Sequence, residues 1–225
     1  MRVTLHLVLA SASPARKKLL VAAGVEASIV VSEVDEDAAV RDARHVHGDE
    51  LGAEDVALLL ARAKAEDVAA QVDGALVLGC DSVLELDGEI HGKPASVAEA
   101  VSRWSRMSGR SGVLHTGHWV VDTRDADEGG TGATLGATAA TTVHFARLEA
   151  EEVEAYVATG EPLRVAGAFT LDGLGAPYVA GIEGDPSNVV GLSLPLLREL
   201  LAEVGVPWRD LRAAAFQGAQ GERGA

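Results

Sequence analysis

Residues 74–91 limit the possible folds of this chain more than any other stretch. Residues 74–80 are a short apolar run that reads as a central strand. Soon after it, residues 83–86 and 89–91 flank Asp87-Gly88, a strong signal for a two-residue hairpin. With that turn in place Leu86 pairs with Glu89, Ser82 falls opposite Lys93, and Asp81 falls opposite Pro94. A carboxylate and a lysine are thereby brought together at the open end of one hairpin.

Around this segment strands alternate with helices. Residues 3–10 read as a buried strand, and Ser13-Pro14 then supplies an N-cap and a first helical residue. The helix runs to residue 23 with Leu19, Leu20 and Ala23 as its apolar stripe and Gly24 as its stop. Residues 27–32 read as a strand, 33–50 as an acidic loop, and 54–72 as a long amphipathic helix rich in Ala and Leu. Further helices are expected at 96–107, 149–159 and 193–204, and strands at 113–123 and 138–146, joined by an exposed Gly/Thr/Asp-rich loop at 125–136. Two short strands are expected between 168 and 182. Alternation together with hairpins predicts an α/β fold with a mixed sheet rather than a purely parallel one. Residues 1–212 are expected to form one domain, and 213–225 a disordered tail.

Of the 225 residues, 48% are apolar, enough to bury a sizeable core. Only 4% are aromatic, so Val, Leu and Ala must do most of the packing. The net charge of −15 repels long polyanions, which argues against nucleic-acid polymers and anionic membranes as partners. It leaves room for a small phosphorylated ligand, which needs only a local knot of positive charge or a metal ion. The single cysteine, Cys80, permits neither an intramolecular disulfide nor a cysteine-based zinc site, and reads as a small buried hydrophobe. The first residues lack a signal-peptide pattern, and no apolar run reaches the roughly 18 residues that span a membrane. A cytoplasmic protein is expected.

Three constellations can carry chemistry. In Ser11-Ala12-Ser13-Pro14-Ala15-Arg16-Lys17-Lys18 a strand feeds a helix N-terminus, where free N–H groups, two hydroxyls and Arg16 favour an anion. An ordinary capped helix with a solvated basic face reads equally well. In 81–94 an Asp at a strand end stands near a lysine, a pairing suited to a hard cation and phosphate charge, or simply to a surface salt bridge. The Gly-, Asp- and Asn-rich segment 181–192 reads as a loop able to offer backbone N–H groups, or as a plain turn. Arg62 and Lys64 lie on the long helix, where a solvated face is the simplest reading. His115 and His118 stand three apart on a strand and point to opposite faces. Asp35-Glu36-Asp37 reads as a charged loop from which Glu36 can reach a metal.

In order along the chain these segments resemble the Maf family, the septum-formation-inhibitor-like nucleotide pyrophosphatases. Ser11-Ala12-Ser13-Pro14 through Arg16 and Leu19-Leu20 is similar to the family's opening motif, and Ser32-Glu33-Val34-Asp35-Glu36 to its first acidic loop. Ala61-Arg62-Ala63-Lys64-Ala65 resembles its lysine-bearing helix. Cys80-Asp81-Ser82-Val83 and Gly92-Lys93-Pro94 resemble its central motifs, and Ala166-Gly167-Ala168-Phe169 and Asn188-Val189-Val190-Gly191-Leu192 its C-terminal pair. Any one motif is weak; seven in order are specific, and they span about residues 3 to 200.

The resemblance implies a mixed, elongated sheet with flanking helices and two lobes around a cleft, similar to the inosine triphosphate pyrophosphatases, usually as a homodimer. It implies hydrolysis of a nucleoside triphosphate to monophosphate and pyrophosphate with Mg²⁺ or Mn²⁺. Asp81 matches the proton acceptor, Glu36 a second acidic position that with Asp81 would hold the metal, and Ser11, Arg16, Lys64 and Lys93 the phosphate site. An unperturbed Asp, with a pKa of about 4, is a weak base at neutral pH, which makes metal assistance expected. Ala15 stands where many members carry a second arginine, and Asp172 where one branch carries a glutamine, so the base stays unassigned. The competing readings are a nucleotide-binding regulator of cell division without turnover, and a nucleotidyltransferase.

Overall fold

The computed structural model describes residues 5–47 and 51–212. Its sheet is built outward from one long strand, β3 (Leu76–Leu86). The first half of β3 pairs in parallel with β1 (Leu7–Ala10), which pairs in parallel with β2 (Ala27–Ile29). The end of β3 pairs antiparallel with β4 (Glu89–His91). Along its other side run β5 (Ser111–Asp122), β6 (Thr134–Phe145) and β7 (Val179–Glu183), each antiparallel to the last. This is the mixed sheet that the alternation of elements predicts, with seven strands.

The β1 ladder ends at Ala10↔Gly79, and the β4 ladder begins only at Leu84↔His91. Between them residues 80–83 of β3 are paired on the β5 side alone, so the sheet forks at Asp81. The hairpin forms as expected, with Asp87 and Gly88 both at positive φ and Leu86 opposite Glu89. Its ladder stops at His91, however. The Gly92 carbonyl accepts from the buried Arg103 and from Gly167 N–H, which draws the chain out of the sheet. Ser82 and Asp81 therefore lie opposite Thr116 and Gly117 of β5, not opposite Lys93 and Pro94.

The helices are α1 (Pro14–Ala22), α2 (Glu36–His47), α3 (Ala53–Ala69), α4 (Val97–Met107), α5 (Ala150–Ala158), α6 (Pro186–Val190), α7 (Leu194–Glu203) and α8 (Trp208–Leu211). One face of the sheet carries two apolar clusters. Leu7, Leu9, Leu78 and Cys80 pack with Leu20 of α1 and Leu197 and Leu201 of α7. Leu84, Leu86 and Leu114 pack with Trp104 of α4 and Tyr156 of α5. A polar row separates the clusters: Ser82 Oγ meets Thr116 Oγ1 at 2.9 Å, and Thr116 donates to the backbone oxygen of the fully buried Asn188.

The opposite face is covered by α3. Its buried residues, Ala53, Val56, Ala57, Leu60, Ala61, Lys64, Ala65 and Val68, follow one helical stripe. The helix sits unusually close: a Cβ on Gly79 would lie 2.1 Å from the Ala61 carbonyl oxygen, and one on Gly117 2.2 Å from that of Ala57. Only glycine at these two strand positions lets the backbones approach so far.

Three expectations need correction. Residues 33–50 are not all loop, because α2 occupies most of them. Asp35 caps it, accepting from Ala38 N–H at 2.9 Å, and Ala39 and Val40 pack against Val56 and Leu60 of α3. Segment 168–182 holds one strand, β7, preceded by short 3-10 turns, rather than two strands. Segment 181–192 is not a plain loop, since it contains α6. The stretch 213–225, expected as a disordered tail, lies outside the described residues.

Candidate active site

Asp81 sits at the fork on the face covered by α3, two residues along the strand from Gly79. Lys64 occupies the sheet-facing stripe of α3, so the two side chains meet in a nearly buried space. Lys64 Nζ lies 2.5 Å from Asp81 Oδ1 and 2.7 Å from Glu36 Oε1, the latter carried on the first residue of α2. Burial pushes the Asp81 carboxyl above its ordinary range, against the pull of Lys64 and Arg16. Partial burial would raise Glu36 as well, but Lys64, Lys93 and Arg16 outweigh it and hold Glu36 low.

Lys64 engages one oxygen of each carboxylate, Asp81 Oδ1 and Glu36 Oε1, and leaves the second oxygen of each for another partner. Hard oxygen donors of this kind suit Mg²⁺ or Mn²⁺. Among the described residues no group of three or more His, Cys, Asp or Glu converges to cage an ion. The residues present thus fit a cation that takes one or two carboxylates and completes its shell with water and phosphate oxygens.

On the other side of the fork, β1 ends and the chain turns into α1. Ser13 caps the helix through Arg16 N–H. Ser11 Oγ accepts from Ser13 N–H and from Arg16 Nη1 at 2.9 Å, which leaves its own proton to donate. Arg16 is buried and donates further to the Cys80 carbonyl at 2.8 Å, Ser82 Oγ at 3.1 Å and the Gly191 carbonyl at 2.7 Å. Four of its five N–H bonds are therefore spent on protein acceptors. Arg16 clamps the fork and offers a bound anion one N–H and a positive charge, rather than the bidentate grip a free guanidinium gives.

Lys93 is exposed at the mouth, on chain anchored by the Arg103 contact to Gly92. The far wall comprises Phe169 to Asp172. Gly167 and Ala168 precede it in left-handed conformation, and Trp104 Nε1 holds the Ala168 carbonyl at 2.8 Å. Glu161 braces the loop that follows, accepting from Tyr156 Oη, Thr170 Oγ1, Leu174 N–H and Gly175 N–H.

Ser11, Arg16, Glu36, Lys64, Asp81 and Lys93 all line one open cleft of about 1110 Å³. Lys64 is not on a solvated face, whereas Arg62 is, pairing with Glu66. His115 and His118 do point to opposite faces. His118 is fully buried between the Thr116 carbonyl and Ser193 N–H, away from the cleft wall. Cys80 is buried in the core, its thiol pushed up to about 12 by desolvation. Sequence reasoning missed Arg41, Arg44, Glu161 and Arg164, which also line the cleft. For the first two the signal was present: Asp35 as N-cap, acids in the first turn, and apolar residues at 39, 40 and 43.

A family profile described as "Maf-like protein" matches residues 6–204. A relative from Salinispora tropica is 56% identical over 90% of this chain and 85% of its own length. Others from Streptomyces coelicolor and Nocardia farcinica are 52% and 53% identical, covering 93% and 90% of this chain and 96% and 94% of their own. Each of the three bears the name nucleoside triphosphate pyrophosphatase.

Proposed function

This chain belongs to the Maf-like protein family and is a nucleoside triphosphate pyrophosphatase, and we propose that Asp81 is the residue around which it opens the α–β phosphoanhydride. The observation that carries this reading is Lys64 Nζ held between Asp81 and Glu36 at the fork of the sheet, on the wall of a cleft otherwise rich in cations.

Hydrolysis here needs an oriented water, a place for its proton and neutralisation of the charge that grows on the leaving pyrophosphate. Asp81 orients the water and accepts its proton; burial raises its basicity for that task. Lys64 fixes the Asp81 carboxylate in one orientation and, as the anhydride opens, faces the developing charge. Lys93, the free proton of Ser11 and the remaining N–H of Arg16 hold phosphate oxygens, while the four protein contacts of Arg16 keep the fork from spreading. Glu36 and Asp81 are the residues that would hold Mg²⁺ or Mn²⁺, which when bound polarises water and screens phosphate charge. A cytoplasmic homodimer, and one domain over residues 1–212, complete the reading.

The test is to incubate the protein with a panel of ordinary and modified nucleoside triphosphates, with Mg²⁺ and then Mn²⁺, and to separate the products. Monophosphate plus pyrophosphate are expected, at a rate at least about a hundredfold lower for Asp81→Asn. Diphosphate plus orthophosphate would move the cut to the γ phosphate and end this mechanism. Tight binding without turnover would favour a nucleotide-binding regulator.

A further inference from the structure

Arginines elsewhere on this surface are matched by acids: Arg62 by Glu66, Arg106 by Glu89, Arg110 by Asp87, Arg198 by Glu199 and Arg209 by Asp210. Among the described residues, four arginine side chains have neither ion pair nor hydrogen bond: Arg41, Arg44, Arg147 and Arg164. In a chain of net charge −15, acids are plentiful, so an unmatched arginine is the exception. Three of these four line the cleft.

Two of the three come from one helix. The cleft-facing positions of α2 are 36, 37, 40, 41 and 44, a single face by helical spacing. That face starts at the reaction centre, because Glu36 is fixed 2.7 Å from Lys64. At a rise of about 1.5 Å per residue, Arg41 follows about 7 Å and Arg44 about 12 Å along the helix axis. Glu36 is committed to Lys64, and the one other acid on this face, Asp37, is outnumbered by Arg41, Arg44 and Lys18 of α1, so this wall keeps a net positive charge. Residues 159–172, which also line the cleft, set a single cation, Arg164, against two acids, Glu161 and Asp172, a balance less favourable to phosphate.

We propose that Arg41 and Arg44 form an outer phosphate site that holds the β and γ phosphates of the substrate and the pyrophosphate that leaves. The proposal rests on the pyrophosphatase reading and adds to it which wall takes the leaving group. Guanidinium groups suit the role, since each can grip two oxygens of one phosphate, which Arg16 with its donors spent cannot do.

Calorimetric titration of inorganic pyrophosphate and of a nucleoside monophosphate, both with Mg²⁺, tests this without turnover. The proteins are the wild type, Arg41→Ala/Arg44→Ala, Arg41→Lys/Arg44→Lys, and Arg147→Ala/Arg198→Ala as a control that removes the same charge elsewhere. Circular dichroism and thermal melting establish that each is folded. The expected result is pyrophosphate affinity at least about tenfold weaker in the alanine pair and partly restored in the lysine pair. Monophosphate affinity stays within about twofold throughout, and the control binds as the wild type does. The proposal is overturned if the wild type has no measurable pyrophosphate affinity, or if the alanine pair binds pyrophosphate normally. It is overturned too if the control loses as much, or if monophosphate affinity falls in step. Failure of the pyrophosphatase reading shows separately, in the product analysis of the wild type.

Discussion

Replacing Gly79 by alanine asks whether the reaction centre depends on how closely α3 lies on the sheet. The new Cβ would stand 2.1 Å from the Ala61 carbonyl oxygen, 2.8 Å from Ala65 N and 2.9 Å from Ala65 Cβ. The two nearest are backbone atoms inside a helix, so no side-chain rotation relieves them, and α3 must withdraw by more than an ångström to reach ordinary contact. Overpacking of this kind costs about 1–3 kcal/mol, or roughly 2–12 °C of Tm in a chain this long. Lys64 lies one helical turn beyond Ala61, and Asp81 lies two residues beyond Gly79, so the same withdrawal stretches the 2.5 Å contact between them. A misplacement of about an ångström at a reaction centre costs about a hundredfold in rate. Thermal melting and single-turnover hydrolysis should therefore show a folded variant with a lowered Tm and a chemical step slower by about two orders of magnitude. Gly117→Ala should act alike: its Cβ meets Ala57 O at 2.2 Å from the strand position directly opposite Asp81, so stability and rate should both fall. A Gly79→Ala protein with wild-type turnover would refute the idea that α3 seating sets the Lys64–Asp81 geometry.

Two further outcomes follow from the same structure. His118 is held neutral, its pKa lowered from 6.5 to about 4 by burial and then by Arg16. Because the folded-state value lies below the unfolded one, its contribution is complete above pH 6.5 and is lost as pH falls toward 4, about 3 kcal/mol in all. Urea midpoints measured from pH 7 to 4.5 should fall accordingly, and His118→Gln should flatten that slope; an identical slope in the variant contradicts the assignment. Glu161→Gln replaces one acceptor oxygen of the loop brace by a donor that cannot face Leu174 or Gly175 N–H. KM should rise several-fold with kcat nearly unchanged, since the Thr170–Asp172 wall shifts while the Lys64–Asp81 pair does not; a fall in kcat alone contradicts this.

Features set by neighbours in the chain were legible before the fold was known. The Ser13-Pro14 start of α1 and the Asp87-Gly88 turn depend on a few adjacent dihedral angles, and both stand where local chemistry puts them. The buried stripe of α3 was legible too, with Lys64 at one of its apolar positions, an anomaly that local reading dismissed as a solvated face. Helix α2 was missed because its charge density hid a cap and a short apolar stripe. The alignment of Asp81 with Pro94 failed because a hairpin fixes register only while its ladder continues, and Arg103 and Gly167 end it at Gly92.

Sequence by itself therefore determined most of the elements, though not α2 or α6, together with the mixed character of the sheet and the six residues worth watching. Tertiary structure alone decided what they do to one another. Arg16 meets a carbonyl 175 positions away, and Lys64 meets Asp81 from a different element, so neither contact has any signature in local periodicity. Whether an arginine is free to hold phosphate or is spent on its own protein turns on which acceptors packing brings within reach. Arg16 is spent, whereas Arg41 and Arg44 have no described partner, and that difference exists only once α1, α2 and β3 are assembled.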